Sequence, residues 1–361
     1  MLKTNTLKLH RSLLKAFLLL CLIFILAISG LIAFLMVTEY RPQPLQSLPA
    51  SPPHHHTTTP PSQIVTCLSW NIGYAGLSRE LDFFYDGGKT VRPSFEESQR
   101  SLSGIENILS GYDTLDFLLL QEVDFRSKRS YFTDQAEWLS CKLPFHGMVT
   151  APNYRCRFIP VPVTEPMGSV QSGLVTFSKW TSCEATRHAY QTTFPWPKRL
   201  VFLKRCFLVT RYPLGEGREL VMVNLHNSTF DQKGSLRIRE LKQLREFLES
   251  EYREGHYVVA GGDWNINPSG YNPGSVITGD KAECVLPPMD PAYLPGWTFA
   301  YDTGTPTNRN VDQPYRKGRT GTTIIDYFLL SPNLSVRSVR TQDLGFVFSD
   351  HNPVLLTFEI N

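Results

Sequence analysis

Short, apolar, β-branched runs that open or close on a polar cluster constrain this chain more than any other feature. Residues 64–70 lead into Asn71, and residues 115–120 stop at Gln121-Glu122. Residues 219–225 reach His226, and residues 256–260 turn through Gly261-Gly262 into Asp263-Trp264-Asn265. Residues 324–330 enclose Asp326, and Ser349-Asp350-His351 precedes the run 354–360. Runs of this length and composition, bounded by turn residues, predict buried strands. A carboxylate at the end of such a strand costs desolvation energy unless something pairs with it.

Each cluster has more than one reading. Asn71 is either a turn residue or an amide at a strand mouth, within reach of a metal shell or a phosphate oxygen. Glu122 either binds a hard cation such as magnesium, which takes oxygen ligands, or pairs with Arg126, Lys128 or Arg129 just downstream. His226 is either structural or a site residue. Asp263 and Asn265, two apart on a short extended segment, would share a side and grip one water or one phosphate; the alternative is an Asx turn. Asp326, in the middle of its strand, needs a partner. His351 suits it, because a carboxylate fixes an imidazole's tautomer and raises its basicity. Asp350 and His351 can share a site only where their strand is starting or bent, since neighbours on a strand face opposite ways.

Between these runs, residues 94–109 and 236–252 carry the spaced apolar positions of helices. Residues 173–179 and 201–211 read as further strands, and the rest of 153–179 is less regular. Residues 267–322 are rich in Pro and Gly and read as loops. Arg309, Arg316, Lys317 and Arg319 there form either a substrate-facing rim or a solvated basic stretch.

Residues 16–37 form an uncharged apolar run, long enough at about 1.5 Å per residue to cross a hydrocarbon core of about 30 Å. Lys3, Lys8, Arg11 and Lys15 precede it. The positive-inside rule then puts the N-terminus in the cytoplasm and the remainder outside. A cleaved signal peptide would have a shorter core and a small-x-small site, so an uncleaved anchor is expected. Residues 1–41 are thus a cytoplasmic tip and membrane anchor. Residues 42–63, rich in Pro, Ser and Thr and containing His54, His55 and His56, read as an extended, solvated linker. Residues 64–361 would form the folded domain that holds the polar strand ends.

Charge narrows the partners. The net charge is +3, but residues 1–43 hold five basic residues and one acidic, leaving 31 basic and 32 acidic in the rest, a balance of −1. Composition therefore gives no support for a basic duplex-binding surface. The cysteines, at 21, 67, 141, 156, 183, 206 and 284, have no C-x-x-C spacing. They read as buried free thiols, with disulfides the alternative if the domain is exported.

The ordered series Asn71, Gln121-Glu122, His226, Gly262-Asp263-Trp264-Asn265, Ile325-Asp326-Tyr327 and Ser349-Asp350-His351 resembles the endonuclease/exonuclease/phosphatase superfamily, over about residues 63–361. The resemblance implies a four-layered α/β sandwich of two packed β-sheets with helices outside and the site at one end. It implies magnesium, or manganese in its place, on Glu122 with Asn71 and Asp350. Asp263 would orient or deprotonate the attacking water, assisted by Asn265, while His226 would donate to phosphoryl oxygens. His351, paired with Asp326, would be the second imidazole. The implied activity is hydrolysis of a phosphodiester or phosphomonoester by direct water attack.

The anchor and the neutral domain favour a phospholipid or sphingolipid headgroup ester as substrate. An anchored extracellular nuclease acting on DNA or RNA is the alternative, and a non-catalytic binding module on the same fold is a third reading. The bilayer is met through residues 16–37, and no protein partner is expected. The inositol-phosphatase branch is disfavoured, because Ile324-Ile325-Asp326-Tyr327 lacks the Cys and Arg of its Trp-Cys-Asp-Arg motif.

Overall fold

A computed structural model describes residues 2–53, 62–229, 234–271 and 288–361, with side chains from residue 10 onward. His54–His56 and Cys284 lie outside the described residues. Helix α1 spans Leu2–Val37, and its stretch His10–Val37 is long and apolar enough to cross a bilayer. Next come β1 (Leu45–Ser47), β2 (Ala50–Ser51), β3 (Ile64–Asn71), α2 (Phe95–Ser110), β4 (Phe117–Asp124), α3 (Gln135–Ser140), β5 (Gly147–Ile159), β6 (Gly168–Ser178), β7 (Glu184–Ala189), β8 (Cys206–Gly215) and β9 (Arg218–His226). The chain ends with α4 (Ser235–Arg253), β10 (Tyr257–Asp263), β11 (Thr298–Ala300), β12 (Asn308–Arg309), β13 (Thr322–Thr323), β14 (Asp326–Leu330), β15 (Leu334–Thr341) and β16 (Val354–Ile360).

One sheet runs β1-β7-β8-β9-β10-β14-β11 and the other β15-β16-β3-β4-β6-β5-β2. Strand alternation builds the layers between and outside them. Val65, Cys67, Phe117 and Leu119 of one sheet meet Leu220, Met222 and Val259 of the other in a shared core. The opposite faces bury Leu68, Trp70, Leu118 and Leu120 under α2, and Val221, Val223, Val258 and Ala260 under α4. This is the expected four-layered α/β sandwich. Helix α2 starts where Ser94 and Glu97 form a reciprocal capping box.

A polar link crosses the shared core near one end. Gln121 Nε2 donates to Asn224 Oδ1 (2.8 Å). Asn224 Nδ2 donates to Leu120 O (3.1 Å) and Val175 O (2.9 Å). The ladder between β4 and β6 is irregular between Leu120 and Val123, so the Asn224 amide takes up carbonyls at the break.

The structure differs from the sequence reading in several places. Residues 201–205 are not strand; β8 begins at Cys206, after a 3-10 turn at Lys198–Leu200. Asp326 opens β14 rather than sitting in its middle. The irregular region contains the long strand β5, and β6 begins earlier than expected. The linker is not free throughout: β1 pairs with β7 and β2 with β5. Their side chains are all exposed. Backbone groups of the edge strands recruit them, which no apolar pattern announces. Cys67, Cys156 and Cys206 are buried free thiols, whereas free Cys141 and Cys183 are exposed.

Two stability predictions follow from this packing. Asn224→Ala strands buried carbonyls and should cost about 2 kcal/mol in chemical denaturation; no measurable loss would mean the amide link is dispensable. His146 donates from Nε2 to Leu115 O (2.9 Å) while its buried Nδ1 has no partner. Burial holds its pKa down at about 4, from 6.5. The unfolded chain therefore binds the extra proton first, so this contribution is whole above pH 6.5 and lost as pH falls towards 4. His146→Gln should flatten the stability–pH slope in that window, and an unaltered slope would refute the assignment.

Candidate active site

Strand direction delivers the polar clusters to one edge. β3 and β4 run parallel, as do β9 and β10, so Asn71, Glu122, His226 and Asp263 all sit at or near C-terminal strand ends. β14 and β16 run antiparallel to their neighbours, and their starts reach the same edge. Asp263 and Asp326 are direct partners across the β10–β14 ladder. Asn71 Nδ2 donates to Asp263 Oδ2 (3.0 Å) and to Glu122 Oε1 (3.2 Å), joining the ends of the two sheets. Glu122, His226, Asp263, Asn265, Asp350 and His351 line one cavity of about 310 Å³.

Local backbone devices aim these side chains. Glu122 lies in the irregularity of β4 with φ 53°. A left-handed residue there re-aims the carboxylate into the cavity while Gln121 stays between the sheets. Gly262 has φ +146°, and a Cβ on it would sit 2.1 Å from Leu225 O, so only glycine allows β10 this approach to β9. Asp263 Oδ1 accepts from Asn265 N (2.9 Å), and Asn265 has φ 53°. This is an Asx turn, so Asp263 and Asn265 do not share one side of an extended segment. Asn265 instead donates from Nδ2 to Asn227 O (2.9 Å). Ser349 Oγ donates to Asn71 O (2.8 Å) and accepts from His351 N (3.1 Å), bending the chain before β16. Trp70 Nε1 donates to His351 O (2.9 Å).

The two imidazoles have opposite surroundings. His351 Nδ1 lies 2.8 Å from Asp326 Oδ2. Burial alone would lower its pKa, but Asp326, Asp350 and Asp263 outweigh that and push it up to about 10. His226 is held well below its ordinary value by burial, then by Arg205 and His351. His226 Nε2 lies 3.3 Å from Asp263 Oδ2. Burial, reinforced by Asp326, pushes Asp263 up to about 7. Donor atoms of Asp263, Asp326 and His351 lie within 4.8 Å of one another. Within this trio the hydrogen bond is the one between His351 Nδ1 and Asp326, while His351 Nε2 lies 3.8 Å from Asp263 Oδ2.

The donors fit a hard divalent ion on the other side. Glu122 and Asp350 both face the cavity, and among the described residues neither forms a salt bridge with a Lys or Arg. Of the basic residues just downstream, Arg129 pairs elsewhere: it grips Asp124 through two bonds (2.9 and 3.1 Å) and lies over the Tyr74 ring. The Arg129 alternative for Glu122 is therefore corrected. Asn71 turns its nitrogen to the site, since its Oδ1 accepts from Gly73 N (3.0 Å).

Several cavity residues carried no sequence signal. Arg205, just before β8, is buried, lines the cavity, and has an Nη1 without a hydrogen-bond partner. Asn308 lies 2.9 Å from His351 Nε2. Asn153 and Tyr154, which the resemblance places near a site tyrosine of the superfamily, also line the wall. Arg309 has a structural job: its guanidinium donates to the carbonyls of Leu77, Ser78 and Leu81. Arg316, Lys317 and Arg319 are exposed.

Residues 68–351 match the model of the Endonuclease/Exonuclease/phosphatase family. Solved structures share the fold. An endonuclease/exonuclease/phosphatase from Beutenbergia cavernae DSM 12333 matches with a TM-score of 0.53 at 15% identity, over 83% of this chain and 72% of that one. One from Bacteroides vulgatus gives 0.52 at 15%, over 82% and 99%. A family protein from Leptotrichia buccalis C-1013-b gives 0.51 at 12%, over 82% and 99%. No curated protein matches the chain.

Asp326→Asn removes the charge facing His351 Nδ1. The His351 ring, followed by NMR, should then titrate well below about 10; an unmoved titration would show that Asp326 does not set its charge.

Proposed function

Because the chain belongs to the Endonuclease/Exonuclease/phosphatase family, whose members are metal-dependent phosphoester hydrolases, we propose that it hydrolyses a phosphodiester by direct water attack at a membrane surface. The observation that carries this reading is one cavity holding a paired carboxylate set, two imidazoles of opposite charge preference and a buried arginine. Glu122 and Asp350 would hold magnesium, or manganese, with Asn71 fixing the Glu122 carboxylate. A divalent ion there supplies charge neutralisation and polarisation of a phosphoryl oxygen.

The protein's own groups do the rest. Asp263 orients the water and accepts its proton, and the Asx turn to Asn265 holds that carboxylate in place. His226 stays neutral and offers an N–H. His351, kept protonated by Asp326, stabilises charge on the phosphoryl group and the leaving oxygen. Arg205 brings a cation with an open donor to the phosphate, the kind of preorganised charge stabilisation phosphoryl transfer requires. No Ser or Cys nucleophile is needed.

A lipid headgroup ester is the favoured substrate. The cavity wall beyond the charged residues is apolar and aromatic, with Leu77, Phe83, Met167, Phe202 and Leu203. Residues 16–37 of the apolar helix His10–Val37 would anchor the chain, with Lys3, Lys8, Arg11 and Lys15 on the cytoplasmic side and the catalytic domain outside.

The test uses the full chain in vesicles with magnesium. Headgroup release should vanish with a chelator and fall at least about 10²-fold in Asp263→Ala. Arg205→Met should fall by about 10-fold or more. Plasmid nicking without lipid cleavage would replace the lipid reading with a nuclease. Hydrolysis of neither would overturn the enzymatic assignment.

A further inference from the structure

The chain is held on the catalytic domain almost as soon as α1 ends. In the last turn of α1, Leu35 is buried while Phe34, Met36 and Val37 stay exposed. Glu39 Oε1 lies 3.0 Å from Lys204 Nζ and 3.7 Å from Arg199 Nε. Lys204 Nζ also donates to Arg199 O (2.8 Å). Tyr40 sits beneath the guanidinium groups of Arg155 and Arg187, at 5.8 and 6.0 Å. From Val37 to Glu39 the chain reaches at most about 7 Å. The loop bearing Arg199 and Lys204 is therefore tied to the very end of the apolar helix.

The outer part of that loop, residues 194–203, presents Pro195-Trp196-Pro197 to solvent. Trp196 is 55% exposed, whereas Trp70, Trp180, Trp264 and Trp297 are buried. Lys198 follows, its ammonium 4.6 and 4.3 Å from the Phe194 and Phe202 ring centroids. An exposed indole beside basic side chains suits the polar boundary of a bilayer: the ring sits among headgroups and the cations meet lipid phosphates. The same loop then turns inward, and Phe202, Leu203 and Arg205 line the cavity.

We propose that residues 194–203 form a second membrane contact, with Trp196 and Lys198 in the headgroup layer of the bilayer that α1 crosses. The contact sets a wall of the cavity beside the lipid surface. It deepens the reading of a membrane-surface phosphodiesterase and rests on insertion of α1. The occupant is the bilayer itself, preferably one containing anionic lipid, because Arg41, Arg199 and Lys204 surround the single carboxylate of Glu39 at the helix end and leave a positive excess there.

The test reconstitutes the full chain into vesicles of phosphatidylcholine and phosphatidylglycerol, with part of the lipid brominated high on the acyl chains. Tryptophan emission should be quenched. Trp196→Phe should lose most of that quenching, while Trp138→Phe, which removes the other exposed indole, should keep it. Lys198→Glu should weaken it. Hydrolysis of a water-soluble phosphodiester should be unchanged in Trp196→Phe. Equal quenching in Trp196→Phe and the parent protein would overturn the loop contact, as would a Trp196 emission shielded by a protein partner but insensitive to brominated lipid. Release of the chain by alkaline carbonate would overturn membrane insertion as well, which separates the two failures.

Discussion

The hydrogen bond from Gln121 to Asn224 joins two sheets whose shared core is built mostly of apolar side chains. Apolar contact is strong but non-directional, and it tolerates sliding of one sheet over the other. A buried amide pair does not, because displacement leaves donors and carbonyls unpaired in a dry core. The bond from Asn71 to Asp263 repeats the device at the edge of the same interface. The site takes side chains from both sheets, so its distances inherit the register that these amides set.

This dependence explains the contrast between the two imidazoles. Both are buried at strand edges, and burial opposes charge on each. Asp326 meets His351 directly, and Asp263 and Asp350 add to it, so His351 keeps a proton. His226 faces Arg205 and the charged His351, so it does not. A one-residue slip in the pairing of any of these strands would turn its site residue to the opposite face.

The layered fold and the polar strand ends were legible in the sequence, because apolar runs closed by Glu122, His226 or Asp263 leave few physical options. The Asp326–His351 pair was legible for the same reason: a buried acid required a partner. What stayed hidden depends on backbone conformation or on long-range docking. Nothing in Leu-Gln-Glu-Val announces that Glu122 takes φ 53°. Arg205 is an ordinary arginine before a strand until β8 and β9 place it in the cavity. Asn308 belongs to the two-residue strand β12, and its bridge to His351 brings it to the site. The Asx turn at Asp263 competed with an extended segment on equal local terms, and the turn prevailed because Asn265 also reaches Asn227 O.

The pairing of β1 with β7 and of β2 with β5 has a mechanical side. The segment after α1 runs along an outer strand of one sheet and then along an outer strand of the other. It thereby covers backbone groups that could recruit a second chain. Any pull transmitted through α1 reaches the catalytic domain first through the Glu39–Lys204 clamp and these short ladders, not through the core strands that hold the site. With α1 anchored as proposed, drag or bending at the bilayer would meet these surface bonds before any core strand, and the clamp on Lys204 lies one residue from Arg205 in the cavity wall.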